Sequence, residues 1–185
     1  MPRAALNSGR RRLALVALAA LAAGLWLAGS AMAACTSGGL GLTAPTALAF
    51  PDTTLTGANQ TVTSTLALTG DDQSGTGTGW RLTGTSTTLT AGAFTLPTTA
   101  TTVTGATRTA GAGNCSLPAN SVTYPVTLPA AATAPTAAKI FSAAAGAYSG
   151  TGAINISLSL AIAVPANARA GTYSSTWTLS LVSGP

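Results

Sequence analysis

The sequence contains no histidine and no glutamate, and its only acidic residues are Asp52, Asp71 and Asp72. Without histidine, neither a Ser-His nor a Cys-His nucleophile pair can form. Zinc sites built from histidine and cysteine are excluded in the same way. General acid–base chemistry would rest on three aspartates, three tyrosines and one lysine. We therefore expect a protein that is not an enzyme and that uses neither a cofactor nor a metal ion.

One acidic segment leaves two interpretations open. Asp71 and Asp72, beside Gln73, could offer oxygen ligands to a calcium ion. Adjacent acidic residues that follow Thr69-Gly70 are more often a solvated turn. We favour the turn, and we predict no metal site.

Positive charge is also scarce once the N-terminus is set aside. Arg3, Arg10, Arg11 and Arg12 make up half of the eight basic residues. The remaining four cations, against three aspartates, give the rest of the chain a net charge of +1. They are scattered, at Arg81, Arg108, Lys139 and Arg169. Phosphate binding requires a basic stripe, so nucleic acid is not an expected partner.

The N-terminal sequence is typical of a cleavable export signal. Its arginines precede an apolar run from Leu13 to Leu27, and Ala31-Met32-Ala33 forms an A-x-A cleavage pattern. A permanent N-terminal anchor is the less favoured alternative. We predict a signal peptide over residues 1–33 and one domain over residues 34–185, secreted or held at the cell surface. No other run has the apolar length of a membrane helix, so no membrane contact is expected after cleavage.

Two cysteines remain in this exported part, Cys35 and Cys115. Outside the cytoplasm an even number of cysteines indicates a disulfide. We predict that these two are bonded. A competing interpretation makes Cys35 a lipid-modified N-terminus, because the residues before it faintly resemble a lipobox.

The rest of the chain is rich in threonine and serine, and its apolar residues alternate with small or polar ones. Every even position from Ile154 to Val164 is large and apolar, and the large side chains between Tyr173 and Leu181 are all odd-numbered. Val62–Leu68 and Val122–Leu128 show the same period of two. Such alternation predicts strands with one face in a core and one in water.

Short strands separated by Gly/Pro/Asn/Asp turns predict an all-β, antiparallel β-sandwich of Ig-like or Greek-key type. The predicted turns include the one at Thr69–Asp72. Two stretches lack a clear period. We interpret Thr98–Gly113 as a long loop, and Ala130–Ala138 as a segment that could hold one helical turn.

From Asp71 to the C-terminus the chain resembles a known family. An acidic turn, a Gly/Thr-rich run and Gly79-Trp80-Arg81-Leu82 resemble the first tryptophan motif of the WxL domain family. The resemblance continues through Lys139–Ala143 and Val164-Pro165 to Ala170–Tyr173 and Trp177-Thr178-Leu179. The distal tryptophan follows the tyrosine by four residues instead of the family's six, and an even shift keeps the same strand face.

The resemblance implies a bacterial surface protein that attaches non-covalently to cell-wall peptidoglycan or another wall glycan. It also implies a partner from the same surface system, another surface protein. The alternative is a structural surface or pilus-like subunit that assembles through protein–protein contacts at sheet edges.

The tryptophans themselves allow more than one role. Trp80 and Leu82 share one strand face, as do Trp177 and Leu179. Both pairs could be core residues, an exposed aromatic pair that stacks on sugar rings, or part of a protein-binding surface. The residues that we predict for binding are Trp80, Leu82, Tyr173, Trp177 and Leu179.

Overall fold

A computed structural model of the chain describes residues 38–146 and 149–185. The predicted signal peptide and Cys35 lie outside these described residues. Within them the chain forms eleven β-strands and no helix, which confirms the predicted all-β class. The strands are β1 Leu40–Thr43, β2 Gln60–Asp72, β3 Trp80–Thr87, β4 Thr90–Ala91, β5 Phe94–Thr95, β6 Thr101–Ala110, β7 Val126–Thr127, β8 Ala130–Ala131, β9 Ala138–Ala143, β10 Gly152–Val164 and β11 Trp177–Ser183. The described residues hold no helix long and apolar enough to cross a membrane.

The larger sheet, here called sheet A, has five strands in the order β1-β2-β10-β6-β7, all antiparallel. Its centre is β10, which pairs with β2 from Gly152↔Asp72 to Val164↔Gln60. Every even-numbered residue of β10 from Ile154 to Val164 is buried, as the alternation predicts. These side chains define the inner face of sheet A.

The second sheet, sheet B, is organised around β3. Antiparallel β11 pairs with one side of β3, from Trp177↔Ser86 to Ser183↔Trp80. Antiparallel β9 and the two-residue parallel strand β8 pair with β3 as well. A separate two-stranded hairpin joins β4 to β5. β3 therefore has neighbours along most of its length, whereas β11 pairs only with β3 among the described residues.

Apolar residues from both sheets share one core. From sheet A the main cluster takes Leu66, Leu68, Val103 and the even positions Ile154–Leu160, and from sheet B it takes Trp80, Leu82, Ile140, Phe141 and Ala143. Leu128 joins them. A second cluster of Leu96, Ala100, Ile162 and Val164 lies at the far end of β10. The finer Ig-like or Greek-key sandwich arrangement stays a prediction.

Several local predictions were wrong. Thr101–Ala110 forms β6, although Thr98–Gly113 was expected to be a loop; pairing with β10 over nine positions compensates for its lack of large side chains. Residues 130–131 form β8, and the stretch to Ala138 contains no helical turn. β2 continues through the predicted turn at Thr69–Asp72, because β1 and β10 pair with both of its sides there.

One long segment belongs to no sheet. Residues 44–59, here called the strap, connect β1 to β2 and make no backbone–backbone hydrogen bond within the described part of the chain. Side chains hold the strap instead. The Ser64 hydroxyl donates to the Ala49 carbonyl at 2.9 Å, and the Gln60 amide donates to the Thr54 carbonyl at 2.9 Å. Leu48 and Phe50 pack against the core.

Candidate functional site

A groove of about 1170 Å³ opens between the strap and the chain that leads into β11. Its floor is apolar and includes residues from both core clusters. These residues are Val62 and Leu66 of β2, Ile162 and Val164 of β10, and Leu89 and Leu96. One wall is the strap from Ala44 to Leu55, and the other is the segment from Ala168 to Trp177, with Leu179. The strands thus place an apolar floor between two irregular walls.

The wall formed by Ala168–Trp177 contains Tyr173 and Trp177 and is here called the aromatic wall. It is fixed in position by hydrogen bonds to the end of β3 and the start of β4. Ser174 and Thr90 exchange backbone hydrogen bonds of 2.9 and 3.0 Å. The Thr176 N–H donates to the Thr87 hydroxyl at 2.9 Å, and the Ser175 hydroxyl donates to the Thr87 carbonyl. The Tyr173 hydroxyl donates to the Arg169 carbonyl at 3.1 Å. A wall held this way needs little ordering when a ligand binds.

The groove carries little charge. Asp52 in the strap and Arg169 in the opposite wall are its only charged lining residues. Both are exposed. Threonine and serine hydroxyls supply most of its other polar groups, at positions 46, 53, 54, 172 and 174–176. The lining therefore favours a ligand that is neutral, partly apolar and rich in hydrogen-bonding groups.

Two of the five predicted binding residues belong to the core. Trp80 and Leu82 are 0% exposed. The Trp80 indole N–H donates to the Gly150 carbonyl at 3.0 Å, and its ring lies 5.6 Å from the ring of Phe141, tilted by 32°. The Trp80 ring has no free face or N–H left for a sugar. Of the roles that the sequence allowed, this pair has the core role.

The other three predicted residues line the groove together. Tyr173, Trp177 and Leu179 are each half-buried, and all three take part in its wall. Tyr173 packs against the second core cluster, whereas Trp177 and Leu179 pack against the main one. The odd-numbered pattern between Tyr173 and Leu181 is thus confirmed, although β11 begins only at Trp177.

Sequence reasoning missed the opposite wall. Phe50 is a third half-buried aromatic residue of the groove, and Leu48 lies beside it. From the sequence, no role was assigned to the apolar positions before Pro51-Asp52. The available signal was the alternation of Leu48 and Phe50 around Ala49, which resembles that of a strand.

Asp71 and Asp72 are the last two residues of β2, and both accept hydrogen bonds from the residues that follow the strand. One oxygen of Asp72 accepts from the Ser74 N–H at 2.9 Å and from the Ser74 hydroxyl at 2.6 Å. Asp71 accepts from the Gln73 amide at 2.7 Å. The predicted solvated turn is therefore wrong here, since Asp72 lies in a strand and is only 1% exposed. The residues that the structure describes hold no group of three or more His, Cys, Asp or Glu side chains suited to a metal ion.

Cys115 lies in the connection after β6, where its backbone N–H donates to the Thr151 carbonyl at 3.2 Å. Since Cys35 lies outside the described residues, the predicted disulfide stays a prediction.

Comparison of the chain with protein-family models, with curated proteins and with solved structures gives no match in any of the three.

Proposed function

We propose that this protein is a secreted, non-catalytic surface protein that attaches non-covalently to the bacterial cell wall by holding a glycan chain in the groove. The observation that carries the proposal is the pair Tyr173 and Trp177, half-buried side chains that line one wall of a groove. An aromatic ring can cover the apolar C–H face of a sugar, and an indole N–H can donate to its hydroxyls.

The size of the groove supports a polymeric ligand. Its volume of about 1170 Å³ lies above the range of about 300–1,000 Å³ that is typical of small-molecule sites. A segment of a longer chain fills such a volume better than a single small molecule does.

The charges of the groove support a neutral glycan over an anionic wall polymer. Asp52 and Arg169 offset each other, and both are exposed to solvent, where salt screens their fields. The attraction would come from apolar contact and hydrogen bonds. Wall peptidoglycan, or another wall glycan, has this chemistry, and a second surface protein of the same system is the further partner proposed.

Sedimentation with purified cell walls tests the site. Trp177→Ala and Tyr173→Ala remove one aromatic contact each, and each should weaken retention about tenfold, equivalent to about 1.4 kcal/mol. Phe94→Ala is the matched control, because Phe94 is an aromatic residue 49% exposed that does not line the groove.

Thermal melting of each variant separates lost binding from lost folding. Folded Trp177→Ala protein that sediments as well as the wild type would contradict the groove as the binding site. Equal losses in Phe94→Ala would indicate unspecific adsorption through exposed aromatic rings.

A further inference from the structure

Sheet A leaves two stretches of strand backbone without a sheet partner among the described residues. β1 pairs with β2 only over Thr69–Asp72, so Gln60–Leu68 has no strand on that side. β7 pairs with β6 only at Thr102 and Val103, which leaves Thr104–Ala110. We call these stretches the β2 edge and the β6 edge. Neither contains a proline or a lysine, which commonly protect open edges.

The two edges are arranged so that one copy of the sheet can continue into the next. β2 and β6 lie on opposite sides of β10, and both run antiparallel to it. The two strands therefore run in the same direction. Arg108 lies at the level of Leu68 in the sheet, whereas Asp52 lies beside Gln60–Ser64. A second copy that is moved across sheet A, turned to follow the strand twist and slid about six residues along the strands places the β6 edge of one copy parallel to the β2 edge of another, with the inner faces on the same side.

The one charge on the β6 edge lies on the inner side of the sheet. Arg108 is directly opposite Ile156 in the pairing of β6 with β10, and Ile156 is buried in the core. Residues directly opposite each other point to the same face. Arg108 is itself exposed.

The strap carries a charge of opposite sign near the β2 edge. Ser64 is opposite buried Leu160, so its side chain points to the inner face. There its hydroxyl donates a hydrogen bond to the Ala49 carbonyl of the strap. Gln60, also on the inner face, holds Thr54. Asp52 lies in the chain between these two anchored residues and is exposed. The strap bonds to side chains of β2 and leaves the backbone of its edge without a strand.

We propose that copies of this protein associate head to tail, with the β6 edge of one copy pairing with the β2 edge of the next and Arg108 facing Asp52. Pairing β6 with β6 would bring two Arg108 side chains together, and pairing β2 with β2 would bring two Asp52 side chains together. Opposite charges favour the mixed contact. Because a head-to-tail contact leaves one edge free at each end, it produces open chains of copies.

Charge reversal tests the contact by sedimentation velocity of the exported protein over a range of concentrations, without walls. The mean mass of the wild type should rise with concentration. Arg108→Asp and Asp52→Arg should each weaken association at least about tenfold, because each replaces an attraction with a repulsion. The double variant carries the reversed pair and should regain wild-type association.

Lys139→Asp is the control, since Lys139 is an exposed cation on β9 of sheet B. It should associate like the wild type. The proposal would be overturned by a wild type that stays monomeric up to ~1 mM. It would also be overturned if the double variant failed to recover, or if Lys139→Asp weakened association as much. All substituted residues are exposed, and melting curves verify that each variant is folded. Because no wall material is present, the outcome is independent of the proposed function.

Discussion

Tyr124 shows how a single polar group is accommodated beside the core. Its hydroxyl donates to the Ile140 carbonyl at 2.7 Å and accepts from the Asn120 amide at 3.0 Å. The Asn120 carbonyl oxygen in turn accepts from the backbone N–H groups of Val122 and Ser142. This network joins the irregular chain before β7 to β9. Burial raises the pKa of the Tyr124 hydroxyl, and the hydrogen bond from Asn120 opposes part of that rise.

The raised pKa predicts a loss of stability at alkaline pH. Below an unfolded pKa of about 10, Tyr124 is protonated in both states. Above it, the unfolded state loses the proton first, so the free energy of unfolding falls as the pH rises through the folded pKa. Melting curves should show a steeper decline above about pH 10 for the wild type than for Tyr124→Phe, which has no such proton. Identical declines would contradict this assignment.

At the scale of elements, the two tryptophans differ because their strands have different neighbours. Trp80 lies on β3, which is paired on both sides, and its ring fills the space beside Gly70, where an added Cβ would lie 2.9 Å from the ring. Trp177 lies on β11, which has a partner on one side only among the described strands. Period-two alternation predicts which face a side chain takes, but not how many neighbours its strand has. The sequence therefore predicted both pairs without separating their roles.

The same reasoning explains where strand prediction failed. β6 has the sequence Thr-Thr-Val-Thr-Gly-Ala-Thr-Arg-Thr-Ala, with one large apolar residue, and it forms because β10 offers a full edge beside it. Conversely, Val122–Leu128 alternates well, yet only Val126–Thr127 pairs as a strand. Tyr124 there is held by hydrogen bonds to side chain and backbone instead. Tertiary pairing outweighed local pattern in both segments.

Removal of β11 should unfold the protein. β11 pairs with β3 at seven positions, and Trp177, Leu179 and Leu181 pack on the main core. Loss of even one such large side chain commonly costs about 3–5 kcal/mol in a core. A chain that ends at Gly171 should show no cooperative melting transition, whereas one that ends at Val182 keeps these three side chains and should melt cooperatively. Melting of the shorter chain at the wild-type temperature would contradict the role given to β11.

At the scale of the whole molecule, composition and fold favour the same kind of function. The chain has no histidine or glutamate and few charges, so apolar surface, hydroxyl groups and strand backbone make up most of what it offers for contacts. The structure places these in a groove with two aromatic residues on one wall and in two sheet edges without partners among the described residues. The groove depends on contacts between β2, β10, the strap and residues 168–177, which lie far apart in sequence. Sequence patterns alone could therefore supply three of its residues but not its shape.

The proposed attachment to the wall is non-covalent and does not depend on charge. The measurement that tests it most directly is the fraction of exported protein that sediments with purified walls as the salt concentration rises from ~0.1 M to 1 M, where the Debye length falls from about 10 Å to 3 Å. Four scattered cations and a groove with one charge of each sign predict that retention stays nearly constant across this range. Loss of the protein from the walls at 1 M salt, or its failure to sediment at any salt concentration, would contradict the proposal.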